Sequence, residues 1–245
     1  MKNSNFEIDE DAAQEYYNLG VFYSDFENLK VALFYYTKAI ELNPYYVDAY
    51  INRGLIYVNL ENYKAAIMDL TNAIGLEKNC IDAYNNRAIA YSHLKNYESA
   101  ISDFTKAIDI EPENAQLYFN RGLTHRAFNY REKAIDDFIK AIIFGRNDDI
   151  IFQLLGEMYY ELRNYRSAVD YFKAAISINP DNILAHKNLG NLHAEMGDLL
   201  WAIEDFTAVI RLNPKDAEAY YKRAKLLKLK AEADFRKAGA LGYEE

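Results

Sequence analysis

Proline occurs four times in the 245 residues, at Pro44, Pro112, Pro180 and Pro214, and every separation between neighbours is a multiple of 34. Such even punctuation means that one structural unit recurs, and a repeat architecture has to be settled before any other fold is weighed. Counted from Ala13, six blocks of 34 follow without insertion: 13–46, 47–80, 81–114, 115–148, 149–182 and 183–216. Residues 1–12 form an acidic lead-in (Glu7, Asp9, Glu10, Asp11) expected to be frayed, and 217–245 form a shortened seventh block. Ten glycines and four prolines are too few for a chain of tight β-turns, so long helices are expected.

Each block position has a physical reading. The fourth is Tyr16, Tyr50, Tyr84, Tyr118, Phe152, His186 and Tyr220, a large side chain opening a first helix. The eighth is glycine five times (Gly20, Gly54, Gly122, Gly156, Gly190) and alanine at Ala88 and Ala224. A mid-helix glycine costs about 1 kcal/mol against alanine, so its recurrence implies a close helix–helix approach. The twentieth position, alanine from Ala32 to Ala202, is read as the facing half of that approach. The twenty-fourth (Tyr36, Leu70, Phe104, Phe138, Phe172, Phe206) and twenty-seventh (alanine, then Val209) share its stripe on a second helix. Asn-Pro or Glu-Pro then ends that helix.

These residues resemble the tetratricopeptide repeat from Ala13 to about Ala238. The resemblance implies an all-α chain, an α-solenoid in which antiparallel helix pairs wind into a right-handed superhelix with first helices lining a concave groove. Lys78 and Arg146 stand where other blocks have proline, and Leu70 where an aromatic is usual. In the last block, Ala231, Phe235 and Ala238 repeat the second-helix signature five residues early, with no glycine, proline or asparagine between Ala217 and Ala238. One uninterrupted helix is expected there, its stripe of Tyr220, Ala224, Leu227, Ala231, Phe235 and Ala238 covering the apolar end of the stack.

Little in the sequence suggests catalysis. Cys80 is the one cysteine, without a histidine at motif spacing, and fits a reducing compartment. His186 and His193 lie seven apart on one helix, but their sibling positions carry tyrosines, and no third metal ligand accompanies them. Phosphate loops and serine elbows are absent. A net charge of −9 disfavours nucleic acid and anionic membranes, and no eighteen-residue apolar run occurs. The start lacks the apolar stretch of a signal peptide, so a cytoplasmic, non-enzymatic protein without cofactor is expected. Arginine at the seventh position (Arg53, Arg87, Arg121) accompanies aspartate at the twenty-third (Asp69, Asp103, Asp137), while Leu19 and Leu155 accompany Tyr35 and Tyr171. This covariation predicts an ion pair across each helix pair, with Leu189 and Asp205 the one mismatch.

The family's groove positions are the second, fifth, sixth, ninth, twelfth and thirteenth. The sixth holds Asn18, Asn52, Asn86, Asn120 and Asn188, and a carboxamide matches the donor and acceptor of a peptide group. The ladder is similar to the one that holds ligand backbones in O-linked N-acetylglucosamine transferase. Beside it Ile51, Leu55, Ile89, Phe119 and Leu123 offer apolar anchors. Lys187 and Asn191 match the start of the family's clamp for acidic chaperone tails, but the remaining clamp positions are not filled. Asp25, Asp48 and Asp82 make the amino-terminal groove acidic, whereas the last helix is basic. The expected function is a scaffold binding an extended peptide or helical segment of another protein. The alternatives are a self-associating assembly protein, kept open by Tyr45-Tyr46, and a regulatory subunit docking onto an enzyme.

Overall fold

A computed structural model describes residues 8–243. The first helices of successive blocks are α1 (Glu10–Asp25), α3 (Val47–Asn59), α5 (Ile81–His93), α7 (Ala115–Ala127), α9 (Asp149–Glu161) and α11 (Ile183–Met196). Their second helices are α2 (Leu29–Leu42), α4 (Tyr63–Leu76), α6 (Tyr97–Ile110), α8 (Arg131–Ile143), α10 (Tyr165–Ile178) and α12 (Leu199–Leu212), and α13 (Ala217–Ala240) follows. No strand occurs among the described residues. Of the lead-in, residues 1–7 lie outside the described part. Residues 10–12 are helical rather than frayed, because Asp9 accepts from the Ala12 N–H at 3.0 Å and Glu10 and Asp11 face the positive end of α1.

The chain divides into two units at Phe144/Gly145, each an α-solenoid of antiparallel helix pairs. The division falls where Arg146 takes the place of the block-ending proline; there α8 stops at Ile143 and Gly145 turns left-handed at φ 103°. Within the blocks every hairpin turn is alike. The fifteenth residue is left-handed (Glu27, Glu61, Lys95, Asn129, Arg163 and Gly197), and the sixteenth N–H bonds the eleventh carbonyl at 2.8–2.9 Å. That bond closes the end of the first helix and offsets the strain of a non-glycine residue at positive φ. The sixteenth residue also begins the second helix, and Asn62, Asn96 and Asn164 cap it with their side chains.

Four helix pairs close on an aromatic ring set against a missing β-carbon; in the second pair Leu70 meets Gly54, and in the third Phe104 packs beside Ala88. The twenty-fourth side chains Tyr36, Leu70, Phe104, Phe138, Phe172 and Phe206 are all buried. A Cβ on Gly20 would stand 2.6 Å from Tyr36 Cδ1, and one on Gly156 2.6 Å from Phe172 Cδ1. The ring comes nearest to the eighth residue, and the buried alanine of the twentieth position shares that contact, as Ala88, Ala100 and Phe104 show by forming one core cluster.

The ion pairs expected from covariation are present and have a third member. Arg53 makes a two-pronged contact with Asp69, Nε to Oδ2 at 2.7 Å and Nη2 to Oδ1 at 2.7 Å, while its Nη1 donates to Thr37 of the preceding block at 3.0 Å. Arg87 holds Asp103 and Thr71, and Arg121 holds Asp137 and Thr105, in the same way. Where leucine replaces arginine, tyrosine rings take over: Tyr23 stacks on Tyr35 at 5.3 Å and Tyr159 on Tyr171 at 5.3 Å. The mismatched Asp205 is also satisfied, since His193 Nδ1 lies 2.7 Å from its Oδ2.

The last helix is unbroken through Lys230, but its stripe does not cover the stack. Ala219 and Leu226 are the buried residues of α13, whereas Tyr220, Leu227 and Phe235 are exposed. Helix α13 lies on α12 through its third and tenth block positions, as α3, α5 and α7 lie on their predecessors in the first unit and α11 on α10 in the second. The predicted stripe is about 100° further round the helix, by the turn per residue of an α-helix.

Three outcomes follow from these contacts. Gly156→Ala overpacks Phe172 and lowers stability by about 1–3 kcal/mol in urea unfolding, whereas Gly75→Ala, with nothing within 4 Å, raises it by about 1 kcal/mol. Arg87→Leu strands the Asp103 carboxylate and costs about 3 kcal/mol; adding Asp103→Tyr, the pairing of the first and fifth blocks, recovers most of it. A double variant no more stable than the single one would overturn the exchange rule. The third outcome concerns acid. Burial alone raises the Asp137 carboxyl, but hydrogen bonds from His125 (2.9 Å) and Arg121 outweigh it and hold it below the ordinary 3.8. The native state then binds fewer protons than the unfolded chain, so this stability is complete above the ordinary carboxylate value and is lost as pH falls through the native one. The thermal midpoint falls on acidification below about pH 4, and Asp137→Asn, though less stable at neutrality, shows a shallower acid slope.

Candidate peptide-binding groove

First helices carry their sixth block position on the face away from their own second helix, and the structure places the asparagines there in chains of hydrogen bonds. In the first unit, Asn52 Nδ2 donates to the Tyr17 hydroxyl at 3.0 Å and Asn120 Nδ2 donates to Asn85 Oδ1 at 3.0 Å. Each bond joins a first helix to the first helix of the preceding block. Asn85 Nδ2 in turn donates to the buried Asn86 at 3.3 Å, and Gln14 and Gln116 donate to Asn18 and Asn120. The ladder is thus partly spent on holding neighbouring blocks in register. A carboxamide with one such bond retains further donor and acceptor capacity. Burial, then the Asp48 carboxylate, pushes the Tyr17 hydroxyl above its ordinary value, so it stays protonated.

The apolar candidates separate by exposure. Leu55 and Leu123 are exposed, and Ile51 and Ile89 are half-buried. Phe119 is 7% exposed and lies 5.8 Å from the Phe138 ring, so it belongs to the core of its pair and not to an open surface. Ile89, Leu123 and Asn120 meet around a cavity of about 260 Å³ floored by Phe104, between α5 and α7.

A larger cavity, about 720 Å³, lies in the second unit between α9, α11 and α13. Phe172, Phe206, Leu199 and Leu226 supply its apolar lining, with Leu229 at its edge. Glu157, Glu161 and Glu195 stand on one side, and Lys222 and Lys225 on the other. Asn188 and Asn191 lie between: Asn188 donates to Glu157 at 3.3 Å, and Lys222 Nζ donates to Asn191 Oδ1 at 2.8 Å. The Tyr160 hydroxyl donates to Glu195, and that bond, then burial, pushes it up to about 12. Lys187 is turned to Asp216 and Glu218, both at 3.0 Å, and these bonds raise its pKa, the Glu218 contact most. The carboxylates of this cavity were legible without coordinates, because Glu157, Glu161 and Glu195 occupy the ninth and thirteenth positions already identified with the groove.

Other chemistry-bearing residues have structural partners. His186 Nε2 donates to the Pro180 carbonyl at 3.1 Å and His193 bonds Asp205, so the two histidines serve separate contacts. Burial raises the Cys80 thiol, which disfavours the reactive thiolate. Among the described residues no group of three or more histidine, cysteine or acidic side chains is placed to hold a metal ion, and no helix is long and apolar enough to cross a membrane.

Family models described as tetratricopeptide repeat match residues 13–46, 35–68, 81–114, 115–142 and 183–216, and one described as TPR repeat matches 156–197. A search of curated proteins finds no match. Among solved structures, PilF of Pseudomonas aeruginosa is similar with a TM-score of 0.73 at 22% identity, over 88% of this chain and 98% of its own. A tetratricopeptide repeat protein of Parabacteroides merdae gives 0.70 at 22% identity, over 96% and 95%. YrrB, described as a TPR protein with an unusual peptide-binding site, gives 0.65 at 22%, over 77% and 97%. At such identities the likeness is one of fold, and it agrees with the repeat matches: the chain belongs to the tetratricopeptide repeat family.

Proposed function

We propose that the chain binds a segment of another protein on the concave face of its first helices, without catalysis. Tetratricopeptide repeats in general mediate protein–protein interaction, and the description of YrrB as peptide-binding supports the fold's suitability. The observation that carries the reading is the cavity between α9, α11 and α13, where an apolar floor is bordered by carboxylates on one side and ammonium groups on the other. Such a site takes an extended segment with an apolar side chain in the floor, a basic residue toward Glu157, Glu161 and Glu195, and an acidic one toward Lys222 and Lys225. The asparagines hold the segment's backbone: Asn188 and Asn191 here, and Asn18, Asn52, Asn86 and Asn120 in the first unit, with Ile51, Leu55, Ile89 and Leu123 as its anchors.

Alanine at Asn52 or Asn120 also removes a bond between blocks, so the cleaner test lies in the second unit. Peptides selected from a random library on the wild-type protein are titrated by fluorescence anisotropy against Lys225→Glu and Leu229→Asp. Both residues are exposed, so helicity is expected to be unchanged. Each variant weakens binding at least tenfold, about 1.4 kcal/mol. Selected peptides that bind all three proteins alike would refute this site.

A further inference from the structure

Helix α13 contains both halves of a helix pair on one rod. Its first half carries first-helix residues, Tyr220, Arg223, Ala224 and Leu227. Its second half reads Ala231, Asp234, Phe235, Lys237, Ala238, matching Ala100, Asp103, Phe104, Lys106, Ala107 of α6 in type and spacing. In complete blocks these sets bury one another, and the twenty-fourth side chain is never more than 2% exposed. On α13 the equivalent Phe235 is 68% exposed, and Ala224, Ala231 and Asp234 are exposed too.

Arg223 shows what is missing. Its Nη1 donates to Thr207 of the preceding block at 3.2 Å, and its guanidinium lies 5.6 Å from the Tyr220 ring centroid. Arg121 makes the same two contacts, to Thr105 at 3.0 Å and to the Tyr118 ring at 5.6 Å, and adds Asp137. Arg223 is thus set in the sibling pose, yet no carboxylate within 4.0 Å pairs with it among the described residues. The matching carboxylate, Asp234, is on the same continuous helix, eleven residues or about 16 Å away. The helix cannot supply it to itself.

We propose that two copies of this chain associate through α13, antiparallel about a two-fold axis near residues 229 and 230, each completing the other's seventh block. Phe235 of one copy sits over Ala224 of its mate, and Asp234 pairs with Arg223, the two contacts that close the hairpins of the other blocks. Symmetry then forms each contact twice, as an isologous interface requires. A second copy is the occupant because it brings the carboxylate, ring and small residues in the required spacing. The apolar stripe and the groove residues Lys222, Lys225 and Leu229 occupy different sides of α13, so the association leaves the groove open.

Sedimentation equilibrium of the full chain tests this, with circular dichroism verifying equal helicity. Wild type is expected as a concentration-dependent dimer of the 28.4 kDa chain. Phe235→Ala, Arg223→Asp and Asp234→Arg each weaken it at least tenfold, since each change acts twice. Mixing Arg223→Asp with Asp234→Arg restores both opposite-charge contacts in a heterodimer, and with them the dimer mass. A wild type that stays monomeric up to its solubility limit, a dimer indifferent to these changes, or a mixture that remains monomeric would overturn the proposal. Each outcome is independent of peptide binding.

Discussion

The contact on which the rest depends is the large apolar side chain of the second helix, an aromatic ring in all pairs but the second, lying against a glycine or alanine of the first helix. It brings two helices together more closely than ordinary side chains allow, and it fixes their rotation, because only the eighth position is small enough to receive the ring. With that rotation set, the seventh position faces the twenty-third and the sixth is carried round to the opposite side of the first helix. Ion pair and groove ladder are consequences of one packing decision. The glycine loses helix propensity of about 1 kcal/mol, and the full burial of a Phe or Tyr, about 1.5–3 kcal/mol by area removed from water, exceeds that loss.

The seventh and twenty-third positions show how a buried polar slot tolerates exchange. Aspartate there is acceptable only with a cation or a histidine to meet it, because an unpaired buried carboxylate is costly. Three solutions occur in this chain: arginine with threonine from the block before, leucine with stacked tyrosines, and histidine from the eleventh position. His125 and Arg121 act together on Asp137, so the first and third kinds occur in combination as well as alone. The arginine also ties adjacent blocks, since its threonine belongs to the neighbour. Coupling between blocks is then partly electrostatic and partly apolar.

Most of the fold could be read from spacing alone, because helix pairs made of local contacts leave their period in the sequence. The pairing of Arg53 with Asp69 was legible for the same reason: two positions vary together. Thr37, Thr71, Thr105 and Thr207 followed the same rule, each preceding a block with arginine, but the signal crosses a block boundary and was missed. One expectation failed on direction. The α13 stripe is apolar, but apolarity does not reveal that the helix's contact with α12 is made by Ala219 and Leu226. For the groove, Phe119 looked like an anchor by position and proved to be core, since a large ring beside Phe138 gains more from burial than from exposure.

A repeat that ends in one long helix presents a particular problem. A first helix has two packing faces, one for the block before and one for its own partner, and only the former is satisfied here. On the second face α13 carries Tyr220, Ala224, Leu227, Ala231 and Phe235. Leaving these in water forgoes burial and recruits nothing, whereas the Arg223 pose already formed with Thr207 and Tyr220 lowers the ordering cost of a third contact. The cavity-lining residues Lys222, Lys225 and Leu229 of the same helix lie on another side. One helix is thereby divided between two faces, one with Lys222 and Lys225 beside Leu229 and one whose exposed residues are mainly apolar.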